Sequence, residues 1–188
     1  MAAYSGHPSA NKVFEPLEIP ELLRGWLLHL HKGRDRHDLA ARRYDRIKTW
    51  MGALATGFSA IVGTTVFATL DKGIESPPFG IKVAVALVSI LAAILTGVNS
   101  FLNLSERTEK HRAAGVQYKA LIWEVELIRA QPLAGLAGAD SPLVRISKQL
   151  QELEQSAPVV PERIYDRVEH NWKEKGVEFV PHADDLTV

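Results

Sequence analysis

Two stretches of this chain leave it few ways to fold. Trp50–Leu70 reads WMGALATGFSAIVGTTVFATL and holds no charged residue. As a helix it extends about 31 Å at about 1.5 Å per residue, enough to cross the hydrocarbon core of a bilayer. Ile81–Leu104 carries one charge, Lys82, at its edge, where a long side chain can lift its ammonium to the headgroups. The remainder of that segment is long enough to span with some tilt. Asp71–Gly80 between them is polar and contains Pro77 and Pro78, which end a helix and suit a tight re-entry. A helical hairpin buried in a soluble protein is the competing arrangement. It needs a surrounding core, and the rest of the chain is too short and too charged to wrap two apolar helices on every side.

Composition matters mainly through its distribution. Over 188 residues the formal net charge is zero and charged residues make up 23%. The apolar residues crowd the middle of the chain and the charges flank them. Balanced charge leaves no basic surplus to neutralise phosphates, which argues against a nucleic-acid binder. The absence of cysteine excludes disulfides, thiolate metal sites and a cysteine nucleophile. Residues 1–19 contain no basic region followed by an apolar run, so they read as a flexible tail and not as a secretory signal.

Basic residues set the expected orientation. Lys32, Arg34, Arg36, Arg42, Arg43, Arg46 and Lys48 precede the first span, and Trp50 sits at that end as an interfacial aromatic. Arg107, Lys110, Arg112 and Lys119 follow the second. The connecting loop offers Lys72, with Lys82 at its border. The positive-inside rule then places both termini in the cytoplasm and the Pro-Pro loop outside.

The flanking segments are helical by periodicity. Residues 20–49 read as cytoplasmic amphipathic helices. Leu22, Leu23, Trp26, Leu27 and Leu30 share one face, Gly33 is a candidate break, and Leu39, Ala40, Tyr44 and Ile47 share the next. The spans at 50–70 and 81–104 form a hairpin over 50–104. Residues 105–176 read as further cytoplasmic helices, the first continuing unbroken from the second span. Ala114, Tyr118, Leu121, Val125 and Ile128 form a seam there. Pro132 ends it, and Leu133–Asp140 is a Gly/Ala loop. Ser141 caps a helix with Pro142 in its first turn, and Leu143, Ile146, Leu150 and Leu153 make a second seam. A last helix starts at Pro161, shows Ile164, Tyr165, Val168 and Trp172 on one face, and ends at Gly176; 177–188 is an irregular tail. The expected fold is all-α, a transmembrane hairpin continuing into an amphipathic cytoplasmic bundle that packs within one chain or between chains.

Chemistry-bearing patterns are sparse. None of the seven histidines lies in a His-Glu-x-x-His spacing, His29 and His31 fall on different sides of a helix, and nothing in the sequence joins His37 to His111. No Gly-rich phosphate loop or Gly-x-Ser-x-Gly turn occurs. The expectation is no enzyme, no metal and no cofactor. The spans say more. Gly52, Thr56, Ala60, Thr64 and Ala68 recur every four residues, as do Ser89, Ala93 and Gly97. Such stripes let helix backbones approach closely in lipid, within the hairpin and between subunits. Thr96, Asn99 and Asn103 form a polar stripe near the cytoplasmic end of the second span. These groups either line an aqueous path or hydrogen-bond neighbouring helices.

The order of parts resembles the SLATT domain family, two-span effectors of bacterial conflict and anti-phage operons. The resemblance covers Arg34 to Trp172. It rests on the basic helix before the first span, the Gly/Thr-rich hairpin, the run SERTEKHRAAGVQYKALIWEVE and the APVVPERIY segment. His111 and Tyr118 look like a pair in that family's post-membrane helix. The resemblance implies a homo-oligomeric pore-forming effector in the bacterial inner membrane that causes abortive infection. It also implies activation by a nucleotide second messenger or by a sensor protein encoded nearby, with the lipid bilayer as the other partner. A function of another class, a non-conducting membrane scaffold that recruits a cytoplasmic partner, fits the same helices.

Overall fold

The computed structural model describes residues 16, 18–71, 78–132 and 141–175. Most of the expected N-terminal tail and of the connecting turn, the Gly/Ala loop at 133–140, the helix end at Gly176 and the 177–188 tail lie outside the described residues. All regular structure among the described residues is α-helical: α1 (Ile19–Asp71), α2 (Phe79–Leu102), α3 (Leu104–Arg129), α4 (Pro142–Ser156) and α5 (Glu162–Glu174).

The first surprise is the length of α1. Its 53 residues run through both the expected Gly33 break and the expected border at 49/50. A lone glycine costs a helix only about 1 kcal/mol relative to alanine, which tertiary packing overrides. Gly33 is buried, and a Cβ placed on it would lie 2.5 Å from Tyr118 Cε1. The glycine is therefore a close-approach residue, letting the Tyr118 ring of α3 lie on the α1 backbone. Gly115 does the same in reverse: its Cβ would lie 2.8 Å from Asp38 Oδ1.

Both expected seams close inside the chain. Leu23, Leu27 and Leu30 of α1 meet Tyr118, Leu121, Ile122, Val125 and Ile128 of α3, with Ile146 and Leu153 of α4 completing the cluster. Full burial of one such aliphatic side chain stabilises by about 1.5–3 kcal/mol, so this cluster orders the charged half of the molecule. Ser141 caps α4 as expected, its hydroxyl accepting from the Val144 amide at 3.4 Å, with Pro142 in the first turn. On α5, Ile164 and Val168 are buried against the rest, whereas Tyr165 stays half exposed.

The second departure is at Asn103. The helix does not continue unbroken from Ile81 to Arg129. Asn103 adopts φ 44°, ψ 48°, and separates α2 from α3. Asparagine tolerates the left-handed region better than other residues with a Cβ. Its amide N–H donates to the Ser100 carbonyl at 3.3 Å, its own carbonyl accepts from the Arg107 amide at 3.1 Å, and its side-chain amide donates to the Glu106 carboxylate. Asn103→Gly should leave the joint intact, since glycine takes this conformation freely. Asn103→Ala should cost about 1 kcal/mol. Thermal unfolding of the detergent-solubilised protein separates the two variants.

The apolar half of α1 lies against α2. Among the described residues, two helices are long and apolar enough to cross a membrane, by length and composition. In α2 only Ala92 is buried. Phe67, Phe79, Leu87, Ile90, Ile94 and Phe101 are exposed on the outside of the pair. A core helix of a soluble protein buries such residues, whereas the most apolar window of each helix here is 6% buried.

Candidate functional site

Two features stand out from the helical framework. One is a groove between the apolar helices and the other is a ring stack at the α1–α3 crossing.

The groove has a volume of about 700 Å³ and is walled by Ser59, Val62 and Gly63 of α1 and by Ser89, Ala93 and Gly97 of α2, among others. The expected α2 stripe therefore does face α1. The expected α1 stripe does not: Thr56, Ala60, Thr64 and Ala68 are exposed, and the α2-facing wall is offset to Ser59, Val62 and Gly63. Gly52 lies short of the groove and, like Gly63 and Gly97, has no atom within 4 Å of a built Cβ. The two helices thus meet without using their glycines, and the groove between them stays open.

Every described hydroxyl of the groove is bonded to its own helix. Ser59 donates to the Ala55 carbonyl at 2.9 Å, Ser89 to Val85 at 2.8 Å and Thr96 to Ala92 at 2.9 Å. Asn99 differs. Its Oδ1 is buried and has no hydrogen-bond partner among the described residues. An unsatisfied buried acceptor costs about 1–3 kcal/mol, so this position calls for a donor from water or from another helix. Asn103, expected to extend the polar stripe, is instead the helix joint described above.

The ring stack joins residues the sequence leaves apart. His37 and His111 are both buried, with Nδ1 atoms 3.0 Å from each other. One ring must donate and the other accept through Nδ1, so the accepting ring is neutral, and with both rings neutral the two carry opposite tautomers. Tyr118 stacks on His37 with centroids 5.4 Å apart, and Tyr44 stacks on His111 at 5.5 Å. Burial, the neighbouring imidazole of His111 and the Arg36 guanidinium push His37 down to about 4. Burial and Arg107 push His111 down as well. Burial pushes the Tyr118 hydroxyl up.

The geometry has an internal symmetry. His37 and Tyr44 are seven residues apart on α1, and His111 and Tyr118 are seven apart on α3. Seven residues are nearly two helical turns, so each pair shares a face. The helices cross so that each histidine stacks on the other helix's tyrosine. The repeated His-x6-Tyr spacing is the signal from which the pairing of His37 with His111 could have been read.

Beside the stack, α5 is locked onto α1 by charge. Lys32 Nζ lies 2.7 Å from Glu169 Oε2, Arg36 pairs with the other carboxylate oxygen, and the Arg36 guanidinium lies 3.8 Å from the Tyr165 ring centroid. The Trp172 indole donates to Asp35 Oδ2 at 3.1 Å. Burial raises the Glu169 carboxyl, but Lys32 and Arg36 outweigh it and hold the group below its ordinary range. Lys32 and Arg36, counted above as part of the basic flank, are thus turned inward to dock a helix.

Among the described residues, no three histidine, aspartate or glutamate side chains converge as metal ligands. The imidazoles spend their facing nitrogens on each other and are covered by tyrosine rings, which suits a titratable structural joint better than a nucleophile or base. No protein-family model, no curated protein and no solved structure matches the chain.

Proposed function

We propose that this chain is a two-span membrane effector that oligomerises and permeabilises a bacterial inner membrane, as its resemblance to the SLATT domain family implies, and that it does so without catalysis. In this reading the apolar half of α1 and α2 form a transmembrane hairpin. The α1–α3–α4–α5 assembly is its cytoplasmic head, with both termini on that side. A nucleotide messenger or a sensor protein acting on the head supplies the trigger.

The observation that carries the reading is the pair of apolar helices with exposed outer faces and an open groove, together with a buried Asn99 carbonyl that has no partner among the described residues. A hairpin with no partner would satisfy Asn99 internally or fill the groove. An assembling one leaves both for neighbouring copies or for water.

Purified oligomers reconstituted into dye-loaded liposomes test this. The expected result is dye release on activation, cut at least tenfold by Asn99→Leu, which keeps size but removes the acceptor. Leak that survives Asn99→Leu means that Asn99 is interhelical glue and not a wall of the path. Liposomes that stay sealed around an activated oligomer favour the scaffold that recruits a partner and conducts nothing.

A further inference from the structure

The buried face of α3, running through Leu104, Thr108, His111, Tyr118 and Val125, is fully used against the rest of the chain. The opposite face is also apolar. Ala113, Val116, Ala120, Trp123 and Leu127 follow one another at spacings of three and four. They are exposed: Val116 is 63%, Trp123 68% and Leu127 63% accessible. A helix with one wet face carries polar residues there. A strict three-four stripe is the pattern of a helix seam.

We infer that this outward face of α3 is a parallel seam that pairs with the same face of a second copy of the chain. The inference rests on the two-span reading and names which cytoplasmic surface does the assembling. The seams expected from the sequence are not available for it, because both are consumed inside the protomer.

Three observations select a second copy as the occupant. The bilayer cannot cover this face, since Trp123 lies about 30 Å along α3 from the joint at Asn103. Copies held by the same spans share orientation and depth, so their α3 helices run parallel with like residues level. That is the arrangement in which a three-four seam packs, small Ala113 and Ala120 alternating with the larger Val116 and Trp123. The flanks agree as well. Arg112 and Lys119 border one side of the stripe, and Gln117 and Glu124 the other. In parallel register a flanking residue faces the one five positions further on in its neighbour. The pairings within α3 are Arg112 with Gln117 and Lys119 with Glu124. One joins opposite charges and none joins like charges. Glu124 already accepts from Arg145 within the protomer, and its carboxylate has room for a second cation.

The chain contains no cysteine, so single-cysteine variants report without background. In native membranes under mild oxidation, Val116→Cys and Leu127→Cys should each give disulfide-linked dimers at least tenfold above Lys110→Cys and Arg163→Cys, which are exposed off the stripe. Trp123→Glu should shift the detergent-solubilised protein from oligomer to monomer with its helical circular dichroism unchanged. Absent or position-independent cross-linking overturns the seam. So does a protein that remains monomeric under oxidation because another segment of the chain or a soluble partner occupies the face. Cross-linking on the stripe with sealed liposomes keeps the seam and removes the pore, whereas leak without cross-linking removes the seam alone.

Discussion

Gly33→Ala should destabilise the folded protein by about 3 kcal/mol, in the range seen when a methyl group is forced into a packed core. On an exposed helix the same change stabilises, because glycine gives up more conformational freedom on folding than alanine does. Here the added Cβ would stand 2.5, 2.8 and 2.9 Å from three carbons of the Tyr118 ring. The ring cannot step aside without leaving its stack on His37. The α1–α3 crossing must open or Tyr118 must abandon it. Gly57→Ala is the matched control, since a Cβ there meets nothing within 4 Å. Thermal unfolding of both variants in one detergent gives the comparison. A Gly33→Ala midpoint equal to or above that of the unmodified protein would falsify the close approach as the reason for this glycine.

The second large effect is on pH. His37 sits at about 4 in the folded protein against an ordinary 6.5, and His111 is lowered too. Between those two pH values the unfolded chain binds protons that the folded one refuses, so stability rises with pH across that window. The contribution is complete above pH 6.5 and is lost as the pH falls towards 4, on the order of 2 kcal/mol from His37 alone. His111 acts in the same direction. The loss is local: a first proton sets a cation beside Arg36 on α1 or Arg107 on α3, and a second leaves no acceptor between the rings and breaks the Nδ1–Nδ1 hydrogen bond. His37→Gln keeps a group able to hydrogen-bond with His111 but cannot titrate, and should flatten the dependence. The check is the unfolding midpoint of both proteins measured from pH 7.5 to 5.0. A flat profile in the unmodified chain, or an identical slope in His37→Gln, counts against the stack as a titrating joint.

Both effects converge on one crossing. Gly33, His37 and Tyr44 on α1 meet Gly115, His111 and Tyr118 on α3. The crossing follows directly on the apolar half of α1 and on the Asn103 joint. In the proposed effector a signal reaching the head passes through this packed crossing to move the spans.

The candidate site was only half legible. The α2 stripe of Ser89, Ala93 and Gly97 could be read because small residues four apart lie on one face of any helix. Whether Thr56 or Ser59 faces α2 could not, since both lie on an uncharged helix and only the rotation of α1 about its axis separates them. His111 and Tyr118 were visible as a pair, and so in principle were His37 and Tyr44. Their union was hidden because a contact 74 residues apart depends on the register of two long helices.

What the chain's local composition settled by itself was the helical class, the two apolar helices and the positions of the amphipathic stripes. Transfer free energy and helical periodicity add up residue by residue, so a window of the sequence suffices to read them. Only the tertiary structure decided which stripes close within the protomer, that Gly33 is a contact and not a break, that Asn103 is a joint, and that two distant histidines share a hydrogen bond. Each of these turns on the distance between elements far apart in the chain, where a shift of about one helical turn exchanges every partner, and no local sum contains that distance.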